Sequence, residues 1–320
     1  MRPRAPAPVR FRNVTAVSVR VPAKVNLQLS VGPMRADGYH DLVNVFHAIS
    51  LFDEVTATPA TNLSVVVEGV NGCSGVAVGA VPTSPDNLAA RAAAALASYI
   101  GVEPAVRLRI RKSIPVAGGM AGGSADAAAA LVGCNVLWDA DLDRGTLLEL
   151  AATLGSDVPF ALVGGTAVGF GRGEQLSPAL TRGRFDWVFA LADGGLSTPA
   201  VYAECDRLRA ERGEQVARPH VSEALMAALA AGDAKALGRE LANDLQAAAL
   251  TLRPALRRTL AAGQDLGALG ALVSGSGPTC AFLAGSEEHA LDLAVALSGM
   301  GVAASIVRAH GPVPGAATVA

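Results

Sequence analysis

The stretch Pro115-Val116-Ala117-Gly118-Gly119-Met120-Ala121-Gly122-Gly123-Ser124-Ala125-Asp126 places four glycines and a serine directly ahead of an alanine-rich run. Glycine lets backbone N–H groups converge on a ligand because no Cβ stands in the way. Ser124 is a good N-cap residue, which predicts a helix from about Ala125 to Trp138 with the positive end of its dipole at the loop. The segment is therefore predicted to bind an anion, above all a phosphate.

The residues on either side of the glycines show which known phosphate-binding motifs this segment does not match. Residues 106–111 alternate apolar side chains with arginines, which predicts a half-exposed strand leading into the loop. Gly118 and Gly123 have Walker A spacing, but Ser124 stands where that motif needs lysine, and no G-x-G-x-x-G opens a helix after a strand. A P-loop or Rossmann assignment is disfavoured, and a flexible turn without a ligand is the alternative.

The composition is that of a globular chain with aliphatic cores. Its 320 residues, 51% hydrophobic and 4% aromatic, are enough for two domains. A net charge of −2 argues against a nucleic-acid or polybasic membrane partner, and no apolar run reaches the length of a membrane span. The four cysteines include no C-x-x-C pair, which favours neither zinc nor disulfides. We expect a cytoplasmic protein, a monomer or homodimer, without nucleic-acid or membrane partners.

The order of predicted elements indicates an α+β fold, because strands and helices mix without strict alternation. The Arg- and Pro-rich residues 1–16 are predicted to be a disordered tail. Pro159 is expected to stop a helix, so that a strand runs from about 158 to 170. Helices are predicted for the second half of the chain near 198–212, 221–231, 234–242 and 254–263. Strands at 269–274, 280–283 and 302–307 close it around a helix at 286–299.

Lys24 and Asn26 lie two residues apart in an apolar strand, so both side chains point to the same face. The chain has only three lysines against 23 arginines. A compact ammonium with a tunable pKa is what arginine does not supply, which makes Lys24 a candidate functional residue. The alternative is an edge strand with a polar side toward solvent.

Three turns carry further polar groups. Asp37-Gly38-Tyr39-His40 combines a turn with an aromatic ring and an imidazole, a set suited to stacking on and hydrogen-bonding a planar heterocycle. Asp157 lies at the break before Pro159. The sequence leaves three roles open for its carboxylate: a general base, a partner for a lysine, or a cap for its own backbone. Ser274-Gly275-Ser276-Gly277-Pro278-Thr279 follows a predicted strand and forms either a second anion-proximal loop or an ordinary hairpin turn.

These segments, in this order, resemble the GHMP kinase superfamily, whose marks are a lysine-containing strand, a P-x-x-x-G-x-x-x-S phosphate loop and a C-terminal Gly-Ser-Gly loop. The resemblance spans about residues 18 to 310. Asp-Gly-Tyr-His after the lysine strand is its narrowest marker, because it separates a branch with a cytidine-linked substrate from mevalonate, homoserine and galactose kinases. The matching segments are Pro-Ala-Lys-Val-Asn-Leu (22–27), Asp-Gly-Tyr-His (37–40), Gly-Gly-Ser-Ala-Asp-Ala-Ala (122–128), Gly-Ser-Asp-Val-Pro-Phe (155–160) and Gly-Ser-Gly-Pro-Thr (275–279).

The resemblance implies a two-domain GHMP kinase fold with the active site in the cleft between the domains. Residues 17–170 would form the N-terminal, ATP-binding domain and residues 171–320 a ferredoxin-like C-terminal domain. The implied reaction transfers the γ-phosphoryl group of ATP to the 2-hydroxyl of diphosphocytidyl-methylerythritol, in the non-mevalonate (methylerythritol phosphate) isoprenoid pathway. The alternatives are another GHMP small-molecule kinase and a non-catalytic nucleotide-binding protein of the same fold.

The resemblance also implies roles for individual residues. Asp157 would accept the substrate proton while Lys24 orients it, and Ser124 would lie near Mg²⁺. The implied substrate-binding residues are Asn26, Tyr39, His40, Thr198 and Tyr202. The implied ATP-binding residues are Asn87, Pro115, Val116, Ala117, Gly118, Gly119, Met120, Ala121, Gly122, Gly123, Ser124, Ala125, Gly275, Ser276 and Gly277. In one departure, Ala121 stands where the family loop often has glycine, so we expect its backbone to adopt a conformation open to a residue with a Cβ.

Overall fold

The computed structural model describes residues 15–69 and 78–319. Most of the tail predicted over 1–16 lies outside the described residues, as do Cys73 and the middle of the loop that precedes the first helix. The described ranges contain helices and strands in mixed order, so the predicted α+β class is confirmed. Within them, no helix combines the length and the apolar character that crossing a bilayer requires.

Twelve strands and ten α-helices are assigned in the described residues. The strands are β1 (Val17–Met34), β2 (His40–Pro59), β3 (Ser64–Gly69), β4 (Val106–Lys112), β5 (Thr166–Phe170), β6 (Gln175–Pro178), β7 (Phe185–Leu191), β8 (Ala242–Asn243), β9 (Gly270–Val273), β10 (Cys280–Ala284), β11 (Ser305–Gly311) and β12 (Ala317–Val319). The helices are α1 (Leu88–Ile100), α2 (Gly122–Leu137), α3 (Arg144–Leu154), α4 (Val158–Val163), α5 (Thr198–Glu211), α6 (Glu223–Ala231), α7 (Ala234–Glu240), α8 (Gln246–Leu252), α9 (Ala255–Asp265) and α10 (Glu287–Gly299).

The first sheet is built on the order β12-β1-β2-β4-β3, with β5 paired to β2, β6 to β5 and β8 to β1. Helix α2 packs on β1 and β2, and α1 packs on α2. In β4 the residues Val106, Leu108 and Ile110 are buried while the arginines between them are exposed. The period-two pattern read from the sequence is therefore confirmed. The glycine loop follows directly after the end of β4.

The second sheet is antiparallel, with the order β11-β7-β10-β9. Counted in chain order within this sheet, that order is 4-1-3-2, and the connections run β-α-β-β-α-β as in a ferredoxin-like fold. The chain does not divide cleanly at residue 170, because β6 and β12 both pair with the first sheet. The domain division at that residue stays a prediction.

Two local predictions were wrong. Residues 158–163 form helix α4, where a strand was expected from 158. Pro159 lies in the first turn of this helix, where its missing N–H needs no partner and its fixed φ suits the helical conformation. Helix α2 begins at Gly122, three residues earlier than predicted. The N–H groups of this first turn, those of Gly122 and Gly123 included, have no partner inside the helix.

Strand β1 runs through the two larger of the three hydrophobic cores in the described residues. Val19 and Leu27 belong to the buried cluster under α1 and α2, whereas Leu29 and Val31 belong to the cluster formed with α5, α8 and α9. The pairing of β1 with β2 shifts register between Asn26 and Gln28, and such irregularities re-aim side chains. Lys24 and Asn26 therefore lie on the strand just before it passes from one core to the other.

Candidate active site

A cleft of about 800 Å³ lies where β1 and β2 face the glycine loop, the first turn of α5 and the loop after β9. It brings together segments that are far apart in the sequence. The predicted site residues that line it are Lys24, Asn26, Tyr39, His40, Pro115, Ala117, Gly118, Gly119, Ala121, Gly122, Gly123, Ser124, Asp157, Thr198, Tyr202, Gly275 and Ser276. One concave site thus contains the lysine strand, both glycine loops and the Tyr-His turn.

Lys24 is held at the base of this cleft by its strand neighbour. Its Nζ donates to Asn26 Oδ1 at 2.5 Å, and Asn26 Nδ2 donates to Asn44 Oδ1 at 2.6 Å. Lys24 is only 6% exposed, which excludes a polar strand edge facing solvent. Burial lowers the pKa of Lys24 from its ordinary value, while the negative charge of Asp157 opposes the shift.

Asp157 directly precedes α4, and its carboxylate is the charge nearest to Lys24. Its Oδ2 lies 3.8 Å from Lys24 Nζ, and the side chain makes no hydrogen bond that would cap the helix. The capping role that the sequence left open is therefore not taken up. Burial, together with the charge of Asp157, raises the pKa of Tyr202. The site therefore holds an ammonium group and, within salt-bridge distance of it, a carboxylate that is not used as a helix cap.

The predicted phosphate loop, residues 115–124, reaches the start of α2 through two alanines with left-handed backbones. Ala117 has a φ of 52°, and Ala121, at the N-cap position, has a φ of 60° and a ψ of 32°. The expectation that Ala121 adopts a conformation open to a Cβ was wrong, since this region strains a residue other than glycine. Ser124 does not cap the helix but lies within its first turn. Its side chain is left to face the cleft.

Different structural features explain why glycine stands at each position of the loop. Gly119 has a φ of 76°, and a Cβ there would overlap the carbonyl oxygen of Ser274. A Cβ on Gly122 would lie 3.1 Å from Ile114 and from the Nζ of Lys112. A Cβ on Gly123 would meet no protein atom within 4 Å. Packing therefore explains Gly119 and Gly122, whereas Gly123 opens onto the cleft.

The loop after β9 packs directly against the phosphate loop. Ser274 Oγ donates to the carbonyl oxygen of Gly119 at 3.1 Å. Ser276 Oγ and Thr198 Oγ1 lie 2.9 Å apart in a hydrogen bond that joins this loop to the first turn of α5. Asn243 Nδ2 donates to the carbonyl oxygen of Gly275 at 2.7 Å. The segment is therefore a buried neighbour of the phosphate loop and not an isolated hairpin turn.

The Tyr-His turn also lines the cleft. Tyr39 is 54% exposed, and the guanidinium of Arg172 lies 5.3 Å from the centre of its ring. His40 is buried, with its ring centre 5.4 Å from that of Tyr202 and its Nε2 3.0 Å from Asp206 Oδ1. Sequence reasoning missed Arg172 and Asp206. The available signal for Asp206 was its spacing of four residues from Tyr202 on a predicted helix.

Five predicted ATP-binding residues do not line the cleft: Asn87, Val116, Met120, Ala125 and Gly277. Asn87 caps α1, since its Oδ1 accepts from the N–H of Ala89 at 2.9 Å and its Nδ2 donates to the carbonyl oxygen of Pro82 at 2.6 Å. Its neighbour Leu88 does line the cleft. The side chain of Met120 is fully buried, and its carbonyl oxygen accepts from the N–H of Lys24 at 3.3 Å.

A buried charge cluster beneath the start of α2 was also missed. Lys112 Nζ donates to Asp126 Oδ2 at 2.8 Å and to Asp53, whose other oxygen accepts from the N–H groups of Ser113 at 2.6 Å and Ile114 at 2.9 Å. Burial raises the pKa of Asp126 well above its ordinary value. The cluster fixes the junction between β4 and the phosphate loop, and the signal for it was the buried-face position of Lys112 in the β4 alternation.

Comparison with known proteins identifies the family. Residues 87–165 match the model of the GHMP kinases N terminal domain, and residues 225–303 match that of the GHMP kinases C terminal domain. A protein of Thermobifida fusca named 4-diphosphocytidyl-2-C-methyl-D-erythritol kinase is 61% identical over 95% of this chain and 99% of its own length. The chain belongs to the 4-diphosphocytidyl-2-C-methyl-D-erythritol kinase family. A relative of the same name from Nocardia farcinica is 58% identical over 95% of this chain and 96% of its own length.

Membership of the 4-diphosphocytidyl-2-C-methyl-D-erythritol kinase family agrees with the three-dimensional comparison. A crystal structure of 4-(cytidine 5'-diphospho)-2C-methyl-D-erythritol kinase superposes with a TM-score of 0.72 and 34% identity, over 91% of this chain and 98% of that one. The aligned length therefore includes most of both sheets. The family resemblance and the GHMP kinase fold inferred from the sequence are confirmed, and the roles of individual residues stay predictions.

Proposed function

We propose that this chain phosphorylates the 2-hydroxyl of 4-diphosphocytidyl-2-C-methyl-D-erythritol with ATP, giving the 2-phosphate and ADP in the methylerythritol phosphate route to isoprenoid precursors. The observation that carries the proposal is the ion pair of buried Lys24 with partly exposed Asp157, in a cleft that also holds a glycine loop at the start of a helix. The names of the relatives supply the substrate. The arrangement of Lys24, Asp157 and the glycine loop in the cleft suits such a reaction.

The paired charges suit the activation of an alcohol. Asp157 is not used as a helix cap, so its carboxylate is available to accept the proton of the 2-hydroxyl as that oxygen attacks the γ-phosphorus. Lys24 Nζ, 3.8 Å away, would hold the hydroxyl oxygen and stabilise the negative charge that develops on it. Because Lys24 is buried, this charge interaction is weakened little by solvent. Phosphoryl transfer needs such positioning and charge stabilisation above all.

The triphosphate of ATP fits over the start of α2. The N–H groups of Gly122, Gly123 and Ser124 have no helical partner, and the helix dipole adds positive potential at the same place. The open space above Gly123 lets phosphate oxygens approach the backbone. Gly275 and Ser276 would close the other side of the triphosphate. Leu88, next to Asn87, would contact the adenine.

Mg²⁺ fits the donor set of this cleft. Within the described residues, no group of three His, Cys, Asp or Glu side chains could form a protein cage for a metal ion. Mg²⁺ bound with nucleotides does not need one, since it keeps several waters and takes its other ligands from the substrate phosphates and one or two protein side chains. The hydroxyl of Ser124 would be the protein ligand. The ion would neutralise charge on the β- and γ-phosphates.

The part of the cleft lined by the Tyr-His turn would hold the cytidine. Tyr39 and Tyr202 offer aromatic faces, and His40 offers a ring nitrogen to the edge of the base. Asn26 and Thr198 also line the cleft and would contact the methylerythritol part. Another GHMP kinase would share the phosphate loop without a need for the Tyr-His turn. A non-catalytic nucleotide-binding protein would not need the Lys24–Asp157 pair.

We further propose that the enzyme acts in the cytoplasm as a monomer or homodimer, without nucleic-acid or membrane partners. The thiols of Cys134, Cys205 and Cys280 are free and buried, which suits a reducing compartment.

Asp157→Asn tests the proposed chemistry directly. Turnover with the cytidine-linked substrate should fall about 10²- to 10⁴-fold, because the amide does not accept the proton, while ATP affinity changes little. A coupled ADP-release assay with that substrate, and with mevalonate, homoserine and galactose, measures both turnover and specificity. Asp292→Asn, on the exposed surface of α10, is the matched control. Full activity of Asp157→Asn would remove this residue from the mechanism, and equal turnover of all four alcohols would contradict the proposed substrate.

A further inference from the structure

His40 is bonded through one of its two ring nitrogens to a carboxylate of helix α5. Its Nε2 lies 3.0 Å from Asp206 Oδ1, and His40 is 7% exposed. An ionised carboxylate only accepts hydrogen bonds, so the Nε2 beside it carries the proton. When the imidazole is neutral, Nδ1 is therefore the nitrogen with the lone pair. Among the described residues, no hydrogen bond to Nδ1 is found.

The same helix also restrains the plane of the imidazole. Tyr202 lies four residues before Asp206 and therefore on the same face of α5. Its ring is 5.4 Å from the His40 ring, with an angle of 31° between the planes. One face of the helix thus supplies both a ring contact and the hydrogen-bond acceptor. All three side chains line the cleft.

A lone pair at Nδ1 distinguishes the two common pyrimidines. Cytosine carries an exocyclic amino group, a donor, at the position where uracil carries a carbonyl oxygen, an acceptor. An acceptor nitrogen in the protein pairs with the amino group and faces the carbonyl oxygen lone pair to lone pair. We propose that Asp206 is a positioning residue that fixes the tautomer of His40 and so makes the site select cytosine over uracil. The inference rests on the proposed function, because it requires that His40 face the pyrimidine.

The tautomer is measured on the wild-type protein. The chain has five histidines, so ¹⁵N labelling of their rings gives a small set of signals, and His40→Gln identifies those of His40. At a pH at which the ring is neutral, the expected spectrum has a protonated Nε2 and a lone-pair Nδ1. In Asp206→Asn the amide is able to donate to Nε2, so the population with the proton on Nδ1 should rise. A wild-type His40 protonated on Nδ1 would overturn the inference without any variant.

Selectivity is measured by calorimetric titration with CDP, UDP and ATP as separate probes. Wild type should bind CDP about tenfold to a hundredfold more tightly than UDP, the effect of one mismatched buried polar pair. Asp206→Asn should lower that ratio at least fivefold and leave ATP affinity within twofold. Glu211→Gln, which removes a carboxylate with a 61% exposed side chain from the same helix, should change neither value.

The outcomes separate the inference from the proposed function. If wild type selects CDP but Asp206→Asn keeps the same CDP-to-UDP ratio, or loses both ligands equally, Asp206 does not set selectivity and the proposed function stands. If wild type neither binds CDP nor phosphorylates the cytidine-linked substrate, the proposed function fails and the inference fails with it. Should Asp206→Asn not fold, Asp206→Ala and the wild-type tautomer decide the question.

Discussion

Gly123→Val should separate ATP binding from folding. A Cβ at this position meets no protein atom within 4 Å, so the added side chain extends into the cleft and not into the core. Valine and glycine differ by only about 0.5 kcal/mol in helix propensity, and the free energy of unfolding should change by no more than that. The two methyl groups would occupy the space through which phosphate oxygens reach the backbone N–H groups of the first turn of α2.

The expected loss follows from the hydrogen bonds at stake. One hydrogen bond from a backbone N–H to a charged phosphate oxygen contributes about 1.5–3 kcal/mol, so the Kd for ATP should rise about tenfold to 150-fold. The affinity for CDP should stay within twofold, because the proposed cytidine contacts Tyr39, His40 and Tyr202 are not part of the glycine loop. Thermal unfolding and separate titrations with ATP and CDP measure the three quantities on one sample.

Two other glycines provide the comparison. Gly133→Ala changes the same helix, where the new Cβ would lie 3.5 Å from Ala57 and Val19 at ordinary contact distance, and ATP affinity should not change. Gly119→Ala combines a positive φ with overlap of the Ser274 carbonyl oxygen and should destabilise the fold by about 2–5 kcal/mol. An unaltered Kd for ATP in folded Gly123→Val would refute the assignment of this loop to the triphosphate.

Three further predictions concern single groups. Lys24→Arg should reduce turnover about 10²-fold or more in steady-state kinetics, because a planar guanidinium does not replace a compact ammonium between Asn26 and Asp157. A wild-type rate in this variant would contradict the role of Lys24. Ala121→Gly should raise the free energy of unfolding in urea by about 0.5–1 kcal/mol, the relief of a φ of 60° less the added entropy of the unfolded chain, and a clear loss would be the opposing result. Burial lowers the pKa of His47 from 6.5 to about 3, so between these pH values the unfolded state binds more protons than the folded state. The free energy of unfolding, measured in urea at a series of pH values, should therefore fall with falling pH by up to about 1.4 kcal/mol per pH unit. An equally steep fall in His47→Phe would contradict this origin.

The sequence predicted the parts of the site that depend on local periodicity and backbone chemistry. Alternation in residues 106–111 placed a strand ahead of the glycine loop, and the spacing of Lys24 and Asn26 placed both side chains on one face. These inferences hold because side-chain direction in a strand follows from position alone. The position of the glycine loop directly ahead of a helix was likewise readable from composition.

The contacts that complete the site join residues distant in the chain. Asp206 lies 166 positions from His40, and Lys112 lies 59 positions from Asp53, so no local pattern pairs them. The left-handed backbone of Ala121 was also not readable from the sequence, because the intrinsic preference of alanine disfavours that conformation. Pro159 was misread for a different reason, since proline ends one helix and begins another with equal ease.

The passage of β1 through the two larger cores makes the described fold one mechanical and thermodynamic unit. Val19 is anchored under α2 and Leu29 under α5 and α8, on a single strand without a linker between them. Neither half can melt while the other keeps its share of this strand, so heat should unfold the described fold in a single cooperative transition. A ligand held at one end of the cleft then raises the melting temperature of the whole chain, and not only of the half that it touches.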